Sequence, residues 1–279
     1  MWTKEHRAKY KDDGRRYPSD LTDVEWQAIE PLFSGYEPLT ADLREMVNAC
    51  LYLEKTGCQW RAIPKDFGPW QTVRTWHDRF RDDGIWADAA ALLTQAVRHK
   101  HGRPVDPSTG LLDSQSVVSG PQKGARGFDG TNKIKGIKRH VLTCSLGLVL
   151  AILVTVASLH DTKAMAILLD RAADAGWQID RIKVDGIYTG PTVEAAAQCH
   201  GVEVQVSTRD PEAKGFSPLP VRWRIEATFG TLTNRYRRLT RNLEQDGVAA
   251  EDAVEIANFH RVLRAYARGQ SVMMQSNRL

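Results

Sequence analysis

The chain has 279 residues, enough for one large domain or two ordinary ones. A hydrophobic content of 42% excludes a chain without a core. A net charge of +4 with a pI of about 8.9 is too mild to argue for nucleic acid by itself. Four cysteines (Cys50, Cys58, Cys144, Cys199) form no CxxC pair and no zinc spacing with histidine, so incidental thiols in a reduced, cytoplasmic protein are expected. The opening Met-Trp-Thr-Lys-Glu-His-Arg lacks the apolar core of a signal peptide.

Residues 1–16 read as a polar, flexible basic arm, and 17–100 as a helical region. A first helix is predicted from about Leu21, with Ser19 or Thr22 as its cap. A second runs from about Thr40 to Lys55, with Leu43, Val47 and Leu51 on one face, and Gly57 stops it. A loop rich in Pro, Gly and Trp leads to helices at Gln71–Arg81 and about Trp86–His99. Helix, loop and a later helix carrying Arg74, Arg79 and Arg81 resembles a helix-turn-helix, so 17–100 is expected to be a helical DNA-binding domain; the alternative is a small bundle with tryptophans in its core.

A Pro/Gly-rich boundary at His101–Gly110 precedes a change of pattern, and a second domain is expected over 107–268, with 269–279 as a tail. Strands are predicted at Leu111–Val118, Lys138–Cys144 and Leu148–Ala157. The uncharged run Val141–Leu159 spans 19 residues, close to a membrane-crossing length. Its Thr, Ser and Gly content and the turn-like Ser145-Leu-Gly147 favour two buried strands instead. Then follow a helix (Thr162–Ala175), a strand (Ile179–Asp185), a helix (Thr189–Cys199) and a strand (Val202–Val206). Helices at Arg222–Thr240 and about Ala249–Ala267 close the chain. This order is that of a ribonuclease H-like α/β fold: a mixed sheet with flanking helices, here after an all-α region.

Three carboxylates stand out in that order. Asp113 and Asp185 sit on or at the end of short apolar strands, and Glu226 lies in an arginine-rich helix. In this fold the first and fourth strands lie side by side and a late helix brings in the third group. Such oxygen ligands suit hard divalent ions, which serve in-line phosphoryl transfer. Each also has an ordinary explanation. Asp113 and Asp185 are good turn residues, and Glu226 has the spacing of a helical ion pair with Arg222. Basic clusters flank two of the three. Between Gln122 and His140 there are six basic residues against one acid, and between Arg222 and Arg241 six arginines. His160-Asp161 reads as a helix-capping Asp-Thr rather than a metal pair.

Leu111-Leu-Asp-Ser-Gln-Ser-Val, Lys135-Gly-Ile-Lys-Arg-His140, Lys183-Val-Asp-Gly-Ile-Tyr188 and Arg222-Trp-Arg-Ile-Glu-Ala-Thr-Phe-Gly with Arg235-Tyr-Arg-Arg-Leu239 resemble the DDE transposases of bacterial insertion sequences. So do the amino-terminal Leu21-Thr-Asp-Val-Glu-Trp-Gln and Gly57-Cys-Gln-Trp-Arg. The resemblance runs from about residue 17 to about 267. It implies Asp113, Asp185 and Glu226 as catalytic metal ligands, with Mg²⁺ as cofactor and Mn²⁺ as a substitute. It implies strand cleavage at the ends of the element, then attack of the freed 3′-hydroxyl on target DNA. The partners implied are double-stranded DNA (terminal inverted repeats and target) and a second copy in a homodimeric synaptic complex. No membrane is involved, and the bound protein would associate with the nucleoid. Arg222 would grip phosphate, and Lys135, Lys138, Arg139 and His140 would line the strand beside Asp113 along the DNA backbone. Arg224, Arg235, Arg237, Arg238 and Arg74 complete the expected DNA-contacting set. The stretch between Glu226 and Tyr236 is one residue longer than in many relatives. Either the outer arginines turn by about 100° or a loop absorbs the extra residue. The rival readings are a ribonuclease H-like nuclease without strand transfer and an inactive, domesticated DNA-binding protein.

Overall fold

The computed structural model describes residues 15–207 and 223–268. Helix α1 (Asp23–Ile29) starts at Thr22, whose side chain accepts from the Glu25 N–H while Glu25 reaches back to Thr22, a reciprocal cap. Helix α2 (Leu43–Thr56) starts at Asp42 and ends at Gly57, which takes a left-handed φ of 65°. Helices α3 (Trp70–Asp82) and α4 (Ile85–Lys100) follow. Phe33, Phe80 and Trp86 stack between them with ring centroids 5.3 and 5.4 Å apart. Trp86 continues the stack onto Phe259 at 5.3 Å. The helical region therefore packs directly on the last helix of the chain.

Strands β1 (Thr109–Val118), β2 (Gly127–Asp129), β3 (Ile134–Cys144) and β4 (Val149–Val156) are antiparallel neighbours. Strands β5 (Arg181–Val184) and β6 (Glu203–Val206) add in parallel on the other side of β1. The order is β3, β1, β5, β6, with β2 and β4 both pairing β3. Without the three-residue β2, this is the ribonuclease H-like order read from the sequence. The run Val141–Leu159 is the β3–β4 hairpin, turned at Gly147. Among the described residues no helix is long and apolar enough to cross a membrane. All four cysteines are free.

Helices α5 (Asp161–Asp174) and α6 (Pro191–His200) connect β4 to β5 and β5 to β6. The alternation of β-strand side chains sorts the core into two faces. Leu112 and Leu142 pack with Met165 and Leu168 of α5 in the cluster that also holds the helical region. Leu111, Val117, Ile137 and Val141 face Ile225, Phe229 and Leu232 of α7 (Trp223–Arg235), and Val254 and Ala257 of α8 (Gly247–Arg268). The predicted Arg222–Thr240 helix is shorter than expected. At Tyr236 the backbone turns extended (φ −122°, ψ 102°), and a single 3₁₀ turn, Arg237–Leu239, follows. The break lies where the extra residue had been noted. The expected basic arm and tail fall largely outside the described residues.

Candidate metal and DNA site

Asp113 sits midway along β1, two residues from Leu111, on the face that α7 covers. It is half-buried, and its Oδ1 accepts the Ser114 N–H at 2.8 Å. Asp185 follows the last residue of β5, where its Oδ1 accepts the Ile187 N–H at 3.1 Å in a tight turn. Strands β1 and β5 pair in parallel with Leu111 opposite Lys183. That pairing ends two residues before Asp113 on β1 and two before Asp185, which lies just past the end of β5. Tyr188 lies near both aspartates. Its ring is 1% exposed. Burial first, then the negative charges of Asp161, Asp113 and Asp185, push its hydroxyl well above the usual range.

Glu226 lies in the first turn of α7 and is exposed. Ile225 and Phe229 fasten this helix to the face that carries Asp113. Asp113 and Glu226 thus belong to elements packed on one face of the sheet, and Asp185 follows the strand that pairs with β1. Their hard oxygens fit a magnesium-like ion and fit zinc poorly. Among the described residues, though, no three His, Cys, Asp or Glu side chains gather closely enough to hold a metal ion. The chemistry and the face are right, but the group is not closed.

The basic residues divide. Lys135 is exposed at the start of β3, opposite Phe128. Lys138, Arg139 and His140, expected along the DNA backbone, are instead all buried. The reason is that β3 is covered on both faces and paired along both edges. Lys138 Nζ lies 3.1 Å from Asp161 and 3.8 Å from Asp129, and donates to the Leu159 carbonyl at 3.2 Å. Arg139 donates to the Leu239 carbonyl at 2.8 Å, and burial lowers its pKa to about 10. His140 Nε2 lies 2.9 Å from Thr155 Oγ1, and burial lowers its pKa to about 4 against the opposing pull of Asp161. Arg238 is likewise turned inward, onto Glu54 at 3.1 Å and Glu244 at 2.7 Å.

Arg224 stays half-exposed beside Trp223, 5.3 Å from its ring centroid. Arg235 is half-buried at the end of α7, and Arg237 is exposed. Arg222 lies outside the described residues. Arg74 pairs with Asp78 at 2.7 Å and lies 4.8 Å over Trp60. On the same helix Arg81 pairs with Asp78 and Asp82, and Arg79 approaches Asp83. Each arginine of α3 therefore has at least one acidic partner, and Asp78 is shared by Arg74 and Arg81. The cap of α5 is His160, whose side chain accepts from the Thr162 N–H. The expected Asp161 cap is instead the counter-charge of Lys138. This buried network also includes Ser116, which donates to Asp129 at 2.5 Å. Nothing in the sequence distinguished these residues from a surface strip.

Two family models match the chain. "Transposase DDE domain" covers residues 104–254, and "Putative transposase of IS4/5 family" covers residues 21–90. A relative from Burkholderia cepacia, the insertion element IS402 uncharacterized 16.2 kDa protein, is 30% identical over 108 residues. That match spans 35% of this chain and 71% of the relative. Among solved structures, the Mos1 mariner paired end complex with Mn aligns over 98% of this chain and 92% of its own. Its identity is 11% and its TM-score 0.28, too low to bear on the fold. With more than half of its length in the DDE domain and the helical region matched besides, the chain belongs to the DDE transposases of insertion elements, in the IS4/5 family.

Proposed function

We propose that this transposase cuts DNA at the ends of its own element and joins the freed 3′-hydroxyl ends to a target duplex. Asp113, Asp185 and Glu226 would hold Mg²⁺, with Mn²⁺ able to substitute. Bound divalent ions would polarise the scissile phosphate and activate the attacking water or hydroxyl. The chain's own residues do the rest. The parallel pairing of β1 with β5 would bring the two aspartates near each other, and α7, packed on the face of β1 that carries Asp113, would offer the third carboxylate. The exposed Lys135 and Arg237 and the half-exposed Arg224 would meet backbone phosphates without reading sequence. No protein nucleophile is needed, because water and then the 3′-hydroxyl attack directly. Two copies would bring two ends together.

The observation that most supports this reading is the parallel pairing of β1 with β5, the strand that carries Asp113 beside the strand that Asp185 follows. The test uses a duplex carrying the DNA that borders the gene, incubated with the full chain, Mg²⁺ and a target plasmid. Nicked ends bearing 3′-hydroxyls and covalently joined products are expected. Asp113→Asn, Asp185→Asn and Glu226→Gln should each reduce both products to background and leave duplex binding in place. Cleavage without joined product would favour the nuclease reading. Full activity in any one variant would remove that residue from the mechanism.

A further inference from the structure

Arg238 lies in the 3₁₀ turn that continues α7, and its side chain crosses to the helical region. Its Nε meets Glu54 of α2 at 3.1 Å, and its Nη2 meets Glu244 at 2.7 Å. Glu54 is fully buried. The surroundings tighten the same joint. A Cβ added at Gly57 would come within 3.0 Å of the Arg238 backbone nitrogen, so α2 and the 3₁₀ turn touch main chain to main chain. The Lys55 ammonium lies 5.0 Å from the Tyr236 ring centroid. From the sheet side, Arg139 of β3 donates to the carbonyl of Leu239. The far end of the helix that carries Glu226 is thus held between the helical region and the sheet.

The carboxylates of the site are not closed into a metal-binding group. What sets the lie of α7 therefore bears on where Glu226 stands. We propose that Arg238 is a positioning residue, bridging Glu54 and Glu244 so that α7 presents Glu226 toward Asp113 and Asp185. This rests on the metal-dependent reading above. A guanidinium can bridge two carboxylates through separate nitrogens, whereas an ammonium is a single point charge.

The test compares the full chain with Arg238→Lys, and with Glu54→Gln as a second break of the same bridge. Four quantities are read: the melting transition, affinity for the element-end duplex, steady-state cleavage as a function of duplex concentration, and Mn²⁺ affinity by electron paramagnetic resonance. Either variant should melt earlier than the parent, as a broken buried ion pair does, yet below its melting transition bind duplex as the parent does, with KM for duplex unchanged. The kcat should fall about tenfold or more, as expected of a misplaced group. Mn²⁺ affinity should fall to that of Glu226→Gln, and combining Glu226→Gln with Arg238→Lys should weaken it no further. Parental rate and parental Mn²⁺ affinity in both variants would overturn the proposal. So would additive loss in the combined variant, or loss of duplex affinity in step with kcat. If the parent itself neither cuts nor loses Mn²⁺ affinity on Glu226→Gln, the metal-dependent function fails instead.

Discussion

Lys135 and Lys138 stand three residues apart on one strand and do opposite things. Lys135 faces solvent, whereas Lys138 sits between Asp161 and Asp129. Removing one partner of a buried ion pair costs about 3–5 kcal/mol, because the remaining charge is stranded. Lys138→Ala should show that loss in urea unfolding. Lys135→Ala should change stability by no more than about 0.5 kcal/mol. It should instead weaken DNA binding evenly across sequences and reduce the salt slope by about one. The reverse pattern would undo the assignment. The three candidate carboxylates stood out in the sequence because Asp113 and Asp185 close short apolar runs and Glu226 lies in an amphipathic, arginine-rich stretch. The burial of the cations did not. Lys-Arg-His on a solvated strand has the same composition as Lys-Arg-His inside, and only the strands and helices packed around β3 separate the two.

Elements were legible where local chemistry marks them. Thr22, Asp42 and Gly57 end their helices as their side chains or backbone freedom dictate. The strand β2 was missed, since three residues carry no periodicity. The end of α7 was missed as well. Its amphipathic pattern continues past Arg235, and the tertiary burial of Tyr236 and Leu239 overrides it. One glycine bears on the strand pairing next to the site. At Gly136 an added Cβ would meet the Val117 carbonyl oxygen at 1.9 Å, a backbone atom that cannot swing away. Gly136→Ala must therefore push β3 from β1. A loss of about 1–3 kcal/mol or more is expected in chemical denaturation. A variant as stable as the parent would contradict the pairing register.

At the scale of the molecule, the helical region and the sheet share a core, which no local pattern announces. Trp86 against Phe259 and Arg264 against Glu25 at 3.2 Å join the two ends of the chain. His77 of α3 and Asp252 of α8 form a further link, 3.4 Å apart. Burial raises the Asp252 carboxyl to about 8 and lowers His77, so a neutral acid beside a neutral imidazole is the favoured pair. An acid whose pKa is raised on folding binds more protons folded than unfolded. Its stabilisation is complete below about pH 4, the unfolded carboxyl value, and is lost as pH rises toward 8. Stability should therefore decline across that window, by at most about 1.4 kcal/mol per pH unit from this group. Asp252→Asn should flatten the decline in urea titrations at successive pH values. An unchanged slope would mean that Asp252 does not carry the proton.

The central claim is that Asp113, Asp185 and Glu226, from two strands and a helix, meet at one divalent-ion site in the working enzyme. Iron-directed cleavage of the polypeptide tests it most directly. Fe²⁺ replaces Mg²⁺ in the protein bound to its element-end duplex, and peroxide generates radicals that cut the chain beside the ion. Breaks are predicted next to residues 113, 185 and 226 together, and all three should vanish in Asp113→Asn. Cuts that omit the start of α7, or that persist unchanged in Asp113→Asn, would contradict the account.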